Sequence, residues 1–195
     1  MITLMVACAG VSSGQEGPES LDMRMLRLVH GSPSVWFDRS MGTFDRSAYP
    51  VFVGSVPAVW AATALSSSWD SGDAGQVSLS LVGAYGSAIV LKRILKRERP
   101  YQRFASVTPR EGYPGTRHLS PAASMPSGHA ALASALSVSL MLAHPSPWTI
   151  GPGAVWAGGV AVSRVWLGVH YPSDVLAGSL LGAGVAVAVH AVMNY

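Results

Sequence analysis

The chain has 195 residues, of which 49% are hydrophobic and 12% charged, and it carries a net charge of +3. A charged fraction about half that of ordinary soluble domains excludes a typical water-exposed enzyme and a polar disordered chain, and it points to an all-α integral membrane helical bundle. A single cysteine, Cys8, excludes an internal disulfide.

Residues 1–13 (MITLMVACAGVSS) are small and apolar and resemble the end of a signal peptide that lacks its basic start. From Leu21, LDMRMLRLVHG puts Leu21, Met25 and Leu28 on one face and Arg24 and Arg27 elsewhere, which predicts a short amphipathic helix at the membrane interface. Residues 31–50 scatter Asp38, Arg39, Asp45 and Arg46 among apolar positions and predict a second interfacial or lead-in helix. The chain thus divides into an N-terminal signal-like and interfacial segment, 1–50, and a membrane-embedded domain, 51–195.

Pro50 to Ser68 is uncharged and long enough to cross a bilayer core, with a kink expected at Pro57. Trp69 to Gly75 is a polar turn. Gln76 to Leu95 predicts a helix that is apolar until Lys92, with Arg99-Pro100 closing it. Residues 101–125, rich in proline, glycine and arginine, read as a surface loop whose Tyr101, Phe104 and Tyr113 would line a lipid entrance. Helices follow over Ala130–Ala143, Thr149–Leu167 and Pro172–Met193, giving about five spanning or core helices beyond the N-terminal amphipathic ones. Gly178 and Gly182 stand four apart, the spacing that lets helix backbones approach closely in lipid. Following the helices places Lys92, the start at Ala130, the end near Arg164 and the start at Pro172 on one membrane face. Asp70, Asp73, His144 and the C-terminus fall on the other.

Eight of the thirteen basic residues lie between Lys92 and Arg117, so the positive charge is local. That run sits between apolar segments and carries no nucleic-acid-binding motif, which argues against a nucleic-acid partner. Three polar blocks instead converge on one face. The first is Lys92 with Arg99-Pro100. Seven positions apart on a helix, the two cations share a side and suit phosphate oxygens. A basic collar at lipid headgroups is the plainer reading of the block and holds for Arg93, Lys96 and Arg97. The second block is Pro126-Ser127-Gly128-His129, directly before an apolar helix. Ser127 and Gly128 fall where unpaired backbone N–H groups attract an anion, and His129 is placed to donate a proton. A simple serine N-cap with a surface histidine is its plainer reading. The third block runs from Ser163 to Asp174. Pro172 opens a helix, Asp174 lies in its first turn, and the acid can orient His170 as a nucleophile while Arg164 faces the same pocket. A buried histidine–aspartate pair beside an interfacial arginine is the alternative. His30, His144 and His190 read as structural, whereas Arg117 and His118 lie in the loop on the site's side.

The pattern K-x6-RP, PSGH, SR-x5-H-x3-D resembles the three-part signature of the type 2 phosphatidic acid phosphatase superfamily, which includes bacterial acid phosphatases and vanadium haloperoxidases. All eleven signature positions are filled: Lys92, Arg99, Pro100, Pro126, Ser127, Gly128, His129, Ser163, Arg164, His170 and Asp174. The likeness implies a metal-free, cofactor-free, two-step hydrolysis of a lipid phosphate. His170 would form a phosphohistidine, Asp174 would stabilise the imidazolium, and His129 would protonate the leaving group and then activate water. Lys92, Arg99, Ser127, Gly128 and Arg164 would bind the phosphate oxygens. A metal centre is disfavoured independently, because the sequence has no HExxH or carboxylate cluster and only Glu98 and Asp174 as acids near the blocks.

The expected substrate is a phospholipid or isoprenoid (di)phosphate whose tail stays in the bilayer. Three alternatives stand beside it: transfer of the phosphoryl group to another lipid, a vanadate-dependent haloperoxidase, and a non-catalytic binder of lipid headgroups. Family likeness places such a protein in a bacterial inner membrane with the site on the periplasmic or outer face, although a count of basic residues alone would put it in the cytoplasm. The sequence names neither the lipid nor the oligomeric state.

Overall fold

The computed structural model describes residues 20–32, 34–116 and 123–195. The signal-like residues 1–13 and the loop residues Arg117 and His118 lie outside them. The described chain is helical: α1 (Leu21–His30), α2 (Val35–Leu65), α3 (Ser71–Leu95), the short α4 (Pro100–Arg103), α5 (Gly128–Ala143), α6 (Pro147–Trp166) and α7 (Pro172–Met193), with a 3-10 turn at Pro114–Thr116. Among the described residues there is no β-strand. Among the described residues three stretches are long and apolar enough to cross a membrane: Val35–Leu65, Ser71–Arg103 and Pro172–Met193.

The bundle is organised as membrane helices require, with small residues inside and large apolar ones outside. Ala130, Ala131, Ala133 and Ala135 are buried on α5, the central helix, while Leu176, Leu180 and Val187 of α7 face outward. Helix α7 lies against α5 through Gly178 and Gly182, as their spacing predicts. A Cβ added at either would overlap backbone, the Ser127 carbonyl oxygen for Gly178 and the Ala131 carbonyl oxygen for Gly182. Polar groups tie the start of α3 to the end of α5, where Gln76 Nε2 donates to the Ser139 carbonyl at 3.0 Å.

Two expectations change. The interfacial or lead-in helix over 31–50 and the span starting at Pro50 are one continuous 31-residue helix, α2, so the stretch leads into the span and residue 50 lies inside it. Pro50 and Pro57 sit within that helix without ending it, the tolerance that packed membrane helices give proline. Helix α3 starts earlier than Gln76, because Asp70 caps it by accepting the Asp73 N–H at 2.9 Å while Asp73 accepts the Asp70 N–H.

Helix α1 presents Leu21, Met25 and Leu28 outward, the face read as interfacial. Its opposite face buries Met23 and Leu26 in a cluster with Val107, Val165, Tyr171 and Val175. The two ends of the bundle separate as the topology requires. His144 pairs with Asp73 at 3.2 Å at one end, and the three signature blocks meet at the other.

Candidate active site

Lys92, near the end of α3, donates to the carbonyl oxygens of Ala123 at 2.6 Å and Ser124 at 3.3 Å, fixing the segment that leads into Pro126. The expected heptad relation of Lys92 to Arg99 does not hold. Lys96 takes a left-handed φ of 44° and ends α3, and Pro100 keeps Arg99 extended at ψ 155°. Arg99 therefore reaches the site from an extended connector rather than along a helix face. Its guanidinium is buried, donates to the Val169 carbonyl at 2.9 Å, and has Nη1 3.2 Å from His170 Nε2.

Ser127 occupies the N-cap of α5 but its hydroxyl makes no capping hydrogen bond. It is fully buried and its Oγ has no partner among the described residues. A buried hydroxyl at a helix N-terminus, with no partner among the described residues, is available to donate to an anion. Ser127 thus stands at the cap position without the side-chain hydrogen bond of an ordinary cap. His129 is no surface residue either, since it lines a cavity with its ring 5.9 Å from that of Phe52.

Asp174 is the third residue of α7 and accepts the Tyr171 N–H at 2.9 Å through Oδ2, closing the helix start over Pro172. The same oxygen stands 3.5 Å from His170 Nδ1 and takes a short hydrogen bond from Ser124 Oγ. An arginine can only donate, so Arg99 beside Nε2 makes that nitrogen the acceptor and leaves the proton on Nδ1, facing Asp174. Burial pushes the His170 imidazole down to about 3, the Asp174 hydrogen bond opposes this, and Arg99, Lys92 and Arg164 add to the lowering. The ring is neutral at rest, with the lone pair of Nε2 facing Arg99.

Arg164 is fully buried in α6. It forms an ion pair with Asp45 of α2, donates Nη2 to the Gly115 carbonyl, and keeps a buried Nε with no partner among the described residues.

A cavity of about 500 Å³ joins these groups. Lys92, Arg99, Gly128, His129, Arg164 and His170 line its polar end, and Tyr49, Phe52, Val53, Val56, Leu81, Val82 and Tyr85 form an apolar wall between α2 and α3. Asp174 and Ser127 stand behind that lining, both fully buried. Of the eight predicted site residues, the six that line the cavity and the two behind them come together at one end of the bundle.

Other expectations are corrected. Tyr101 and Phe104 pack on the core around Tyr171, and Tyr113 stands edge-on to Trp166 at 5.0 Å, so the aromatic wall comes from α2 and α3 instead. Arg97 is no headgroup collar, since it pairs with Asp22 at 2.8 Å and with Asp174 at 2.7 Å. Glu98 and Asp174 are not the only acids near the blocks, because folding brings Asp22 and Asp45 to them. Ser124, Asp22 and Asp45 carry no sequence signal of a role. Only Ser124's place two residues before Pro126 could have drawn notice.

The sequence model of the PAP2 superfamily matches residues 73–195. The chain is 37% identical over 118 residues to an undecaprenyl-diphosphatase of Sulfolobus acidocaldarius, covering 57% of this chain and 52% of that protein. It is 35% identical over 114 residues to a decaprenylphosphoryl-5-phosphoribose phosphatase of Mycobacterium tuberculosis, covering 56% of this chain and 55% of the relative. The chain thus spans about half the length of these relatives. In fold it is similar to the crystal structure of Aquifex aeolicus LpxE, with a TM-score of 0.71 at 19% identity over 91% of this chain and 97% of the other. It is also similar to a PAP2 type phosphatidylglycerolphosphate phosphatase from Bacillus subtilis, with a TM-score of 0.64 at 23% identity over 89% and 84%.

Proposed function

The chain belongs to the PAP2 superfamily, and from that premise we propose that it hydrolyses a lipid phosphate or diphosphate, without metal, through a phosphohistidine on His170. One observation carries the reading: a single cavity has three cations and two histidines at one end and an apolar wall from two membrane-length helices along the rest. A water-soluble phosphate ester needs only the first half of such a cavity. A charged head on a long tail uses both.

The phosphate enters between Lys92, Arg99 and Arg164; the Nε of Arg164, without a partner among the described residues, together with Ser127 Oγ and the Gly128 amide, receives non-bridging oxygens as charge grows on them. Arg99 then shifts its donors from His170 Nε2 to the phosphate, freeing the lone pair. Nε2 bonds to phosphorus as the bond to the leaving oxygen breaks, and His129, brought to its imidazolium form by the negative charge of the bound phosphate, gives that oxygen its proton. Asp174, facing Nδ1–H, stabilises the imidazolium so formed. His129, now neutral, takes a proton from water, which attacks phosphorus and releases inorganic phosphate and His170. The cations supply the charge stabilisation that a divalent metal would otherwise give.

The names of the relatives make polyprenyl phosphates and diphosphates the first substrates to try. The proposed location is a bacterial inner membrane with the site on its periplasmic or outer face, since Lys92, Arg99 and Arg164 are accounted for by the site itself and so mark topology poorly. Purified protein should release phosphate from a panel of polyprenyl diphosphate, phosphatidate and phosphatidylglycerol phosphate in EDTA, and vanadate should block release. A short-chain phosphatidate added outside intact cells should be hydrolysed as fast as after permeabilisation. A requirement for added divalent cation would overturn the mechanism.

A further inference from the structure

Arg97 stands inside the first signature block, yet it is not among the residues that line the cavity. Its guanidinium bridges two acids from opposite ends of the chain. Nη1 reaches Asp174 Oδ1 at 2.7 Å and Ser173 Oγ at 2.7 Å, and Nη2 reaches Asp22 Oδ2 at 2.8 Å. The group also lies 4.1 Å from the centre of the Tyr171 ring. Asp22, on α1, accepts the Ser173 N–H at 2.9 Å and the Ser173 hydroxyl. The first turn of α7, which carries the acid beside His170, is thus gripped from outside by α1.

The two oxygens of Asp174 face different neighbours. Oδ2 takes the Tyr171 N–H and Ser124 and faces His170, while Oδ1 faces Arg97. A carboxylate turns about one bond, so holding Oδ1 with a planar cation fixes the direction of Oδ2. That cation is itself mobile unless its other nitrogen is tied, and Asp22 ties it. Burial pushes the Asp22 carboxyl up, but the Ser173 hydrogen bonds and Arg97 more than offset this and hold it below the usual range, so it stays ionised.

We propose that Asp22 and Arg97 are positioning residues for the reaction at His170, with α1 fixing, through the Arg97 guanidinium, the orientation of Asp174 and so the aim of the attacking ring. This rests on the phosphohistidine reading above. An exposed ion pair contributes little, but the Asp174 end of this one is fully buried and cannot turn to water when its partner is lost. A lysine at 97 keeps the charge and one bond but cannot span both acids.

The test compares wild type, Arg97→Ala, Arg97→Lys, Asp22→Asn and the Asp22→Asn/Arg97→Ala double variant, full length and in detergent, with polyprenyl diphosphate and phosphatidate as substrates. Inhibition by inorganic phosphate reports the cradle, and phosphate-binding stoichiometry gives the folded fraction. A misaimed reacting group costs up to about 100-fold, so Arg97→Ala should lower kcat by about 30- to 100-fold and Asp22→Asn by about 5- to 10-fold. KM and the phosphate inhibition constant should stay within about 3-fold, because Lys92, Arg99, Arg164 and Ser127 are untouched. The double variant should be no worse than Arg97→Ala alone, as expected of one chain of contacts, and Arg97→Lys should recover part of the loss.

Additive losses, a rise in KM at constant kcat, Arg97→Lys no better than Arg97→Ala, or a fall in binding stoichiometry with kcat per site unchanged would each overturn the assignment. A wild type that releases no phosphate, or a fully active His170→Ala, would instead overturn the functional reading and this assignment with it.

Discussion

The bundle holds a histidine–aspartate pair at each end, and their chemistry differs because their surroundings do. At the far end His144 Nε2 lies 3.2 Å from Asp73, with side chains 27% and 23% exposed. The ring there stacks on Trp69 at 4.0 Å, and Asp73 also caps α3. At the site end His170 Nδ1 is 3.5 Å from Asp174, with exposures of 4% and 0%. The closer pair is the one expected to be inert. What separates them is that His170 turns its second nitrogen toward Arg99 in a cavity shared with Lys92 and Arg164, whereas His144 lines no such cavity. Distance between an acid and a base does not mark a nucleophile. On the proposed mechanism a cluster of cations beside the ring's second nitrogen does.

The largest expected effect tests that contrast directly. On the proposed mechanism His170→Ala removes the nucleophile and should lower phosphate release by at least about 1,000-fold, as loss of a nucleophile does elsewhere. His144→Ala should leave kcat within about 2-fold, since it touches a partly exposed helix end. Comparable losses in the two variants would show that the difference in surroundings had been misjudged.

The contrast was legible in the sequence at the site end because the signature residues are local. Pro172 opens α7 and sets Asp174 in its first turn, and Ser127 ends at the start of α5, both consequences of a few adjacent residues. Lys92 and Arg99 were expected to converge and do, but by the wrong route. A helical repeat cannot register that Lys96 turns left-handed and that Pro100 keeps Arg99 extended. What stayed hidden is long-range. Asp22 meets Arg97 across 75 positions and Asp45 meets Arg164 across 119. In the sequence both acids look like ordinary polar residues of interfacial helices, because nothing in their neighbours tells which cation folding will bring. The continuity of α2 through Pro50 was missed for a related reason, since proline breaks helices by a local rule that packing among helices overrides.

A smaller effect sharpens the comparison through glycine. At the site end a Cβ on Gly178 would overlap the backbone carbonyl of Ser127, which cannot give way. At the far end a Cβ on Gly75 would lie 3.4 Å from the flexible end of Met193. Gly178→Ala should therefore cost about 1–3 kcal/mol in stability, the usual range for overpacking, and should lower kcat by displacing the start of α5. Gly75→Ala should leave both nearly unchanged. Thermal unfolding in detergent together with phosphate release checks the pair, and equal tolerance at the two positions would mean that α5 and α7 do not set the site's spacing.

The smallest effect is on pH dependence. His170 is lowered from the ordinary histidine value of 6.5 to about 3, chiefly by burial, so the folded protein holds the ring neutral where the unfolded chain would protonate it. The stability contributed by this neutral, buried ring is fully present above pH 6.5 and is lost as pH falls from there towards about 3. His170→Gln has no proton to gain, so its unfolding temperature should decline less than that of wild type over that window, and the two curves should run parallel above it. Phosphoenzyme formation should not lose its nucleophile to protonation between pH 7 and 5, whatever other groups titrate there. Parallel curves throughout would mean that the ring meets water in the folded state, and that the burial separating this pair from the one at His144 is not maintained.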